Sequence, residues 1–503
     1  HIGTVAPRGD DPPIPPRPKV GLLDGATGVL IDGTWRRGAA GAVVLDKFTR
    51  QPVAELRTAS EADAVDAVSA AALAAETPLP AAERHRILSE AAGLLAVHAA
   101  EVTANYIAET GFTRADAETE LARAVGTLRL SAEEAVRIAG EEVPVAATRG
   151  SERRLAFTIR VPVGVVVAIA PFNAPLNTVA HKIGPALAAG NAVVLKPAEQ
   201  TPLSSLALAQ ILREAGLPPG YLNVVNGPGE TVGRALTADS RVRFITFTGS
   251  TAVGLAIRHQ SGITKTHLEL GSNSASIVAA DADLDLVARL VRGAGFRKAG
   301  QVCTSVQRVI ADARVAADLA DLLRERAADI KPGDPRDPAT GVGPLIAPAE
   351  AKRARSWIDE AIGQGATLLT GGGRASADPN SALLSPAVLY DPPPGCAIMT
   401  DEIFAPVVAV VPVKDVDEAI DLVNAGRYGL QAGVFTRDID VAFDAARRLR
   451  VGGVMINDTS SYHADAMPYG GVKESGYGLE GPRYAVQDMT DPRIIVLNLG
   501  ASK

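Results

Sequence analysis

Between residues 163 and 280 the chain alternates short, β-rich, mostly apolar runs with helix-like stretches, and this rhythm constrains the fold most. Residues 163–170, 191–196, 221–225, 242–248 and 274–280 have strand length and β-branched content. Helical patterns lie between them: 178–189, ended by Gly190; Thr201-Pro202 to near Gly216; 231–238; and Ser250 to about Gln260. Strands apolar on both faces must be covered on both faces, so the alternation predicts a parallel sheet between helices. Ligands on such sheets bind beyond the carboxyl ends of the strands. The residues that follow strands are therefore the ones to search.

A second α/β series follows, with a helix over 287–298, a strand over 306–311, helices near 315–329 and 348–363, and strands over 407–413 and 454–457. The tail, 493–499, is β-rich and needs a partner segment or subunit, because a bare edge strand invites aggregation. Residues 60–140 are Ala-rich. Ser60, three residues before Asp63, opens a helix that runs through Val65, Val68 and Ala72. Pro78 and Pro80 break it, and a second helix from Ala81 aligns Leu88, Ala91, Leu94 and Leu95. These helices read as packing elements without chemistry.

Several functions are excluded early. A net charge of −7 and 4% aromatics give neither a basic face nor base-stacking platforms for nucleic acid. Two cysteines cannot build a disulfide scaffold and suit a reducing compartment. Seven histidines include no His-x-x-x-His pair, so no metal site is predicted. Residues 161–180 carry no charge, but three prolines and two asparagines bar a lipid-exposed helix, and no membrane span is expected. Residues 1–20, with six prolines and no apolar core, read as a flexible arm rather than a signal peptide. The expected location is the cytoplasm.

Four segments carry candidate chemistry. In Gly300-Gln301-Val302-Cys303-Thr304 a cysteine lies at a helix–strand junction with small and polar flanks. Lone cysteines are mostly small buried hydrophobes, but this setting suits a nucleophile, and Gly300 would let the backbone approach a ligand. Cys396, after Pro-Pro-Pro-Gly, looks incidental. Glu269, between Leu268 and Leu270, is either a salt-bridged structural carboxylate or a general base with a raised pKa. Asn173 sits between Pro171 and Pro175 just past the strongest strand, as a turn former or an oxyanion donor. Residues 247–254, Phe-Thr-Gly-Ser-Thr-Ala-Val-Gly, run from a strand into a helix whose first amides can hold a phosphate.

Together these segments resemble the aldehyde dehydrogenase superfamily, from about residue 25 to the end. The likeness rests on PFNAP at 171–175, KPAEQTP at 196–202, FTGSTAVG at 247–254, LELGS at 268–272, GQVC at 300–303, EIFAP at 402–406 and PYGGVKESGYGLE at 468–480. It implies an α/β fold: a Rossmann-type cofactor domain (21–142 and 163–271), an α/β catalytic domain (272–485) and a small β oligomerisation element (143–162 and 486–503). It implies NAD, with NADP possible, as cofactor. Cys303 would attack the aldehyde, with Asn173 and the Cys303 N–H as oxyanion hole. Glu269 would activate water, and Lys182 with Glu480 would relay protons.

The resemblance also gives a cofactor site. Lys196 and Glu199 would hold the adenosine ribose, Ser250 the pyrophosphate, and Glu402 the nicotinamide ribose beside Phe404. Ile169, Pro171, Phe172, Gly229, Gly233, Phe247, Gly249, Gly254 and Leu270 complete it. Asn177, Thr178, His181, Thr304, His463 and Tyr469, with Ser461 and Tyr462, would line a polar substrate tunnel. Such a tunnel favours a small oxygenated or anionic aldehyde. The resemblance further implies a homodimer or homotetramer, without nucleic-acid or membrane partners. The chain departs from the usual pattern at Phe172, Ala252, Ser272 and Ala405, none of which removes a reacting atom. Two alternatives are an acylating enzyme, in which coenzyme A takes the acyl group, and a non-catalytic protein that keeps the fold. The carboxylate at 269 argues against the first. The presence of both Cys303 and Glu269 argues against the second.

Overall fold

The computed structural model describes residues 21–500, so the arm read over 1–20 lies outside the described residues. Among the described residues the strands form four sheets. The first has eight strands. Its five central ones, Lys265–Glu269, Val242–Thr248, Val165–Ile169, Ala192–Lys196 and Leu222–Val225, run parallel in that spatial order. The last four of these are buried nearly throughout, which explains their mostly apolar, β-rich sequences.

The chain moves outward from Val165–Ile169 through two strands, then returns to start again on its other side with Val242–Thr248. That reversal opens a crevice at the carboxyl ends of the two strands, the usual ligand position of a doubly wound sheet. The second sheet has seven strands and also reverses direction, at Ala275–Val278. Each sheet anchors its own hydrophobic core.

The tail strand Thr490–Asn498 pairs antiparallel with Arg154–Pro162 along its whole length, which meets the edge-strand requirement on one side. Ser60 caps Glu61–Ala75 through a reciprocal box with Asp63. The buried stripe of that helix is Ala64, Ala67, Val68 and Ala71, whereas Val65 is exposed. Among the described residues no single helix is long and apolar enough to cross a membrane.

Candidate active site

A cavity of about 1110 Å³ runs from the reversal point of the first sheet to the second sheet. Its walls are built by the segments that follow strands. Ile169 to Ala174 leave Val165–Ile169, Lys196 to Gln200 leave Ala192–Lys196, and Phe247 to Ser250 leave Val242–Thr248. Glu269 and Leu270 close Lys265–Glu269. The other half supplies Cys303, Thr304, Glu402, Phe404, His463 and Tyr469.

The half-cavity on the first sheet fits a dinucleotide. Ser250 caps the ten-residue helix Thr251–Gln260, leaving first-turn amides at the cavity wall. Gly254 does not line the cavity but lets that helix pack against the sheet, since a Cβ there would lie 2.3 Å from Leu270 Cδ2. Glu199 Oε1 accepts from the Gly229 N–H at 3.1 Å and lies 3.8 Å from Lys196 Nζ. Burial pushes the Glu402 carboxyl up to about 8, partly offset by the Ser272 N–H, which donates to Oε1 at 2.9 Å. Phe404 holds φ +50°, rare for an aromatic residue, and its ring meets Phe172 edge-on at 5.7 Å. A carboxyl and a ring set by strained backbone suit a ribose diol and a flat heterocycle.

At the junction, burial drives the Cys303 thiol up to about 12, and the Tyr469 hydroxyl, 2.8 Å from Sγ, opposes the shift. Asn173 Nδ2 donates to the Gln301 carbonyl at 2.8 Å, tying the amide to the cysteine loop. Lys298 Nζ donates to the Asn173 carbonyl at 3.0 Å and pairs with Glu120 at 2.8 Å, both side chains buried. Glu269 is buried, and desolvation together with the charge of Glu480 raises its pKa well above the carboxylate range. Lys182 lies behind the cavity wall, where Nζ donates to Glu480 Oε1 at 3.1 Å and to Thr246 Oγ1 at 3.0 Å.

Three sequence readings change. Gly300 does not admit a ligand: at φ +70°, its Cβ would sit 2.0 Å from the Ala405 carbonyl oxygen. It completes a left-handed run with Lys298 (φ 52°) and Ala299 (φ 55°), which shapes the cysteine loop. Gly300→Ala should therefore lose at least about 2 kcal/mol of stability. A fall in apparent Tm with loss of activity, read by thermal denaturation, checks this. Tyr462 is half-exposed and outside the cavity, so it leaves the tunnel set, whereas Ser461 remains. Finally, the helix Arg114–Ala135 is not mere packing, because Glu120 and Arg123 line the cavity.

The tunnel contains a charge network that sequence reading missed. Arg123 grips Asp465, with Nη2 2.7 Å from Oδ1, while His181 Nε2 and Asn177 Nδ2 reach the same oxygen at 2.9 and 3.1 Å. Burial would raise the Asp465 pKa, but the hydrogen bonds from His181 and Arg123 outweigh it and hold the carboxylate ionised. Arg123 Nη2 also meets His463 Nδ1 at 2.5 Å. A guanidinium only donates, so Nδ1 accepts. Burial and the Arg123 charge keep His463 neutral, which puts its proton on Nε2, a buried atom without a partner. Arg297 also lines the cavity, near Ser461 Oγ at 3.4 Å. Among the described residues no carboxylate lies within ion-pair distance of it.

A dinucleotide-shaped crevice ending at a partly buried thiol and amide and a buried carboxyl defines a cofactor-dependent oxidoreductase. The chain belongs to the aldehyde dehydrogenase family, whose description matches residues 35–495. It is an NAD(P)-dependent, non-acylating aldehyde dehydrogenase. It is 46% identical over 472 residues to a 3-sulfolactaldehyde dehydrogenase of Priestia aryabhattai, covering 94% of this chain and 98% of that one. A lactaldehyde dehydrogenase of Methanococcus maripaludis is 34% identical over 93% of this chain and all of its own (100%). The NADP-dependent glyceraldehyde-3-phosphate dehydrogenase from Bacillus halodurans, solved with NADP, superposes with a TM-score of 0.91. It is 35% identical, over 94% of this chain and 99% of that one.

Proposed function

We propose that the chain oxidises a small, oxygenated or anionic aldehyde to its acid through a thioester on Cys303. The observation that carries the substrate class is the tunnel's donors: His463 Nε2–H without a partner and the Arg297 guanidinium, which donates to Ser461 Oγ but meets no carboxylate among the described residues. A buried donor left unpaired by an alkyl substrate costs about 1–3 kcal/mol. The named relatives act on 3-sulfolactaldehyde, lactaldehyde and glyceraldehyde 3-phosphate, all small and oxygenated.

In this reading Cys303 gives up its thiol proton to water in the cavity as Sγ adds to the aldehyde carbon, and the Tyr469 hydroxyl donates to the sulfur as it gains charge. Asn173, anchored by Gln301, donates to the carbonyl oxygen as it gains charge. Held by Lys196, Glu199, Ser250 and Glu402, NAD(P) would supply the hydride acceptor. Glu269 then takes a proton from water as the water attacks the thioester. Lys182 and Glu480 form the relay behind Glu269. NAD is preferred, because Glu199 accepts well from a ribose 2′-hydroxyl and repels a 2′-phosphate. Arg234, beside Gly233 in the cavity wall, offers that phosphate a cation, so NADP is accepted less well.

A homodimer or homotetramer forms through the three-stranded sheet, where Leu155, Ile159, Ile494 and Val496 are exposed. Two free thiols support a cytoplasmic location. Initial rates with lactaldehyde, 3-sulfolactaldehyde, succinate semialdehyde, glyceraldehyde 3-phosphate, hexanal and benzaldehyde test the substrate class. One or two satisfied donors predict about 10- to 100-fold higher kcat/KM for the oxygenated compounds. The highest value on hexanal or benzaldehyde would refute the polar tunnel.

A further inference from the structure

We propose that His267 is a positioning residue for Glu269: it holds Oε1 and leaves Oε2 as the oxygen that meets water. This rests on the assignment of Glu269 as general base. The two residues stand two apart on the strand Lys265–Glu269 and so share a face. His267 Nε2 lies 3.1 Å from Glu269 Oε1, and Oε2 has no partner. The side chains are 3% and 4% exposed, so solvent does not compete for the contact.

The backbone opposite is shaped around the imidazole. Gly478, at φ +92°, would place a Cβ 2.5 Å from His267 Cδ2. The titratable groups acting on the ring are Glu480 beyond that glycine and Lys182 and His181 from the helix Asn177–Ala188. Burial outweighs the pull of Glu480 and lowers the His267 pKa to about 4, so a neutral ring faces the carboxyl. When water attacks the thioester, its proton moves to Oε2, the new C–O bond forms and the C–S bond breaks. The sulfur stays on Cys303 as thiolate. Oε1 accepts from Nε2–H before and after, so His267 exchanges no proton and fixes only direction.

The test uses full-length enzyme turning over lactaldehyde with NAD. It reads the NADH burst, the steady-state rate and, by mass after acid quench, the acylated fraction of Cys303. His267→Leu should keep the burst, lower the steady state about 10- to 100-fold and accumulate acyl-enzyme, the cost of a lost bond to a charged group. His267→Gln, whose amide reaches the Nε2 position, should restore most of the loss. If His267→Leu fails to fold, His267→Asn, too short to reach Oε1, replaces it with the same expectation. An unchanged steady state overturns the proposal. So does an equal fall of burst and steady state without rescue by glutamine. Glu269→Gln in the same assay separates the two ideas. If it does not accumulate acyl-enzyme, the base assignment fails; if it does and the His267 variant does not, only the positioning role fails.

Discussion

Cys303→Ala will lose aldehyde oxidation by about 10⁴-fold or more, the scale on which removal of a covalent nucleophile stops an enzyme. Its affinity for NAD(P) will be nearly unchanged. The two effects separate because the sulfur sits at the junction of the cavity, while the dinucleotide half is built from the first sheet and Glu402. Without Sγ no thiohemiacetal forms, so the hydride has no tetrahedral carbon to leave. Fluorescence titration with the cofactor and absorbance at 340 nm measure the two quantities independently. Residual turnover close to the parent rate would sink the covalent route. The internal control is Cys396→Ala: that thiol is buried at the start of the helix Ala397–Thr400, away from the cavity, and its loss should leave kcat unaltered.

How far sequence reading reached depended on where each signal lay. The strands Val165–Ile169, Ala192–Lys196 and Val242–Thr248 were legible because burial on both faces writes a mostly apolar, β-branched run. Lys265–Glu269 was not legible as a strand. Its inward side chains include His267 and Glu269, polar because they serve the site, so the run of Lys-Thr-His-Leu-Glu has no strand-like hydrophobicity. Cys303, Glu269 and Asn173 stand in the linked motifs, and with the cofactor residues other than Gly254 they all line one cavity.

Arg123 and Asp465 were missed for a different reason. They stand 342 positions apart, one on a helix in the Ala-rich region read only as packing, the other in a loop. Long-range polar pairing leaves no local periodicity. The Gly300 reading shows a third kind of limit. The need for a glycine was clear, but the atom that crowds it, a carbonyl 105 residues later at Ala405, is a product of tertiary structure.

Glu269→Gln will leave a burst of about one NADH per active site and then turn over about 10²- to 10⁴-fold more slowly, the usual cost of losing a general base. The amide keeps the size of the side chain and can still accept from His267, so hydride transfer, which needs only Cys303 and the oxyanion donors, survives. Acyl-enzyme then accumulates and is visible in the intact mass. The same residue sets an acid limb. A base must be ionised to act, and burial with the nearby Glu480 charge raises the Glu269 pKa well above the carboxylate range. Deacylation should therefore fall as pH drops through that raised value, at a higher pH than an ordinary glutamate near ~4.3 would give. In the glutamine variant nothing titrates at that position, and the slow steady state should lose this limb. Equal slowing of the burst and the steady state would assign Glu269 to thiol activation instead. A limb that persists unchanged in the variant would assign the titration to another group.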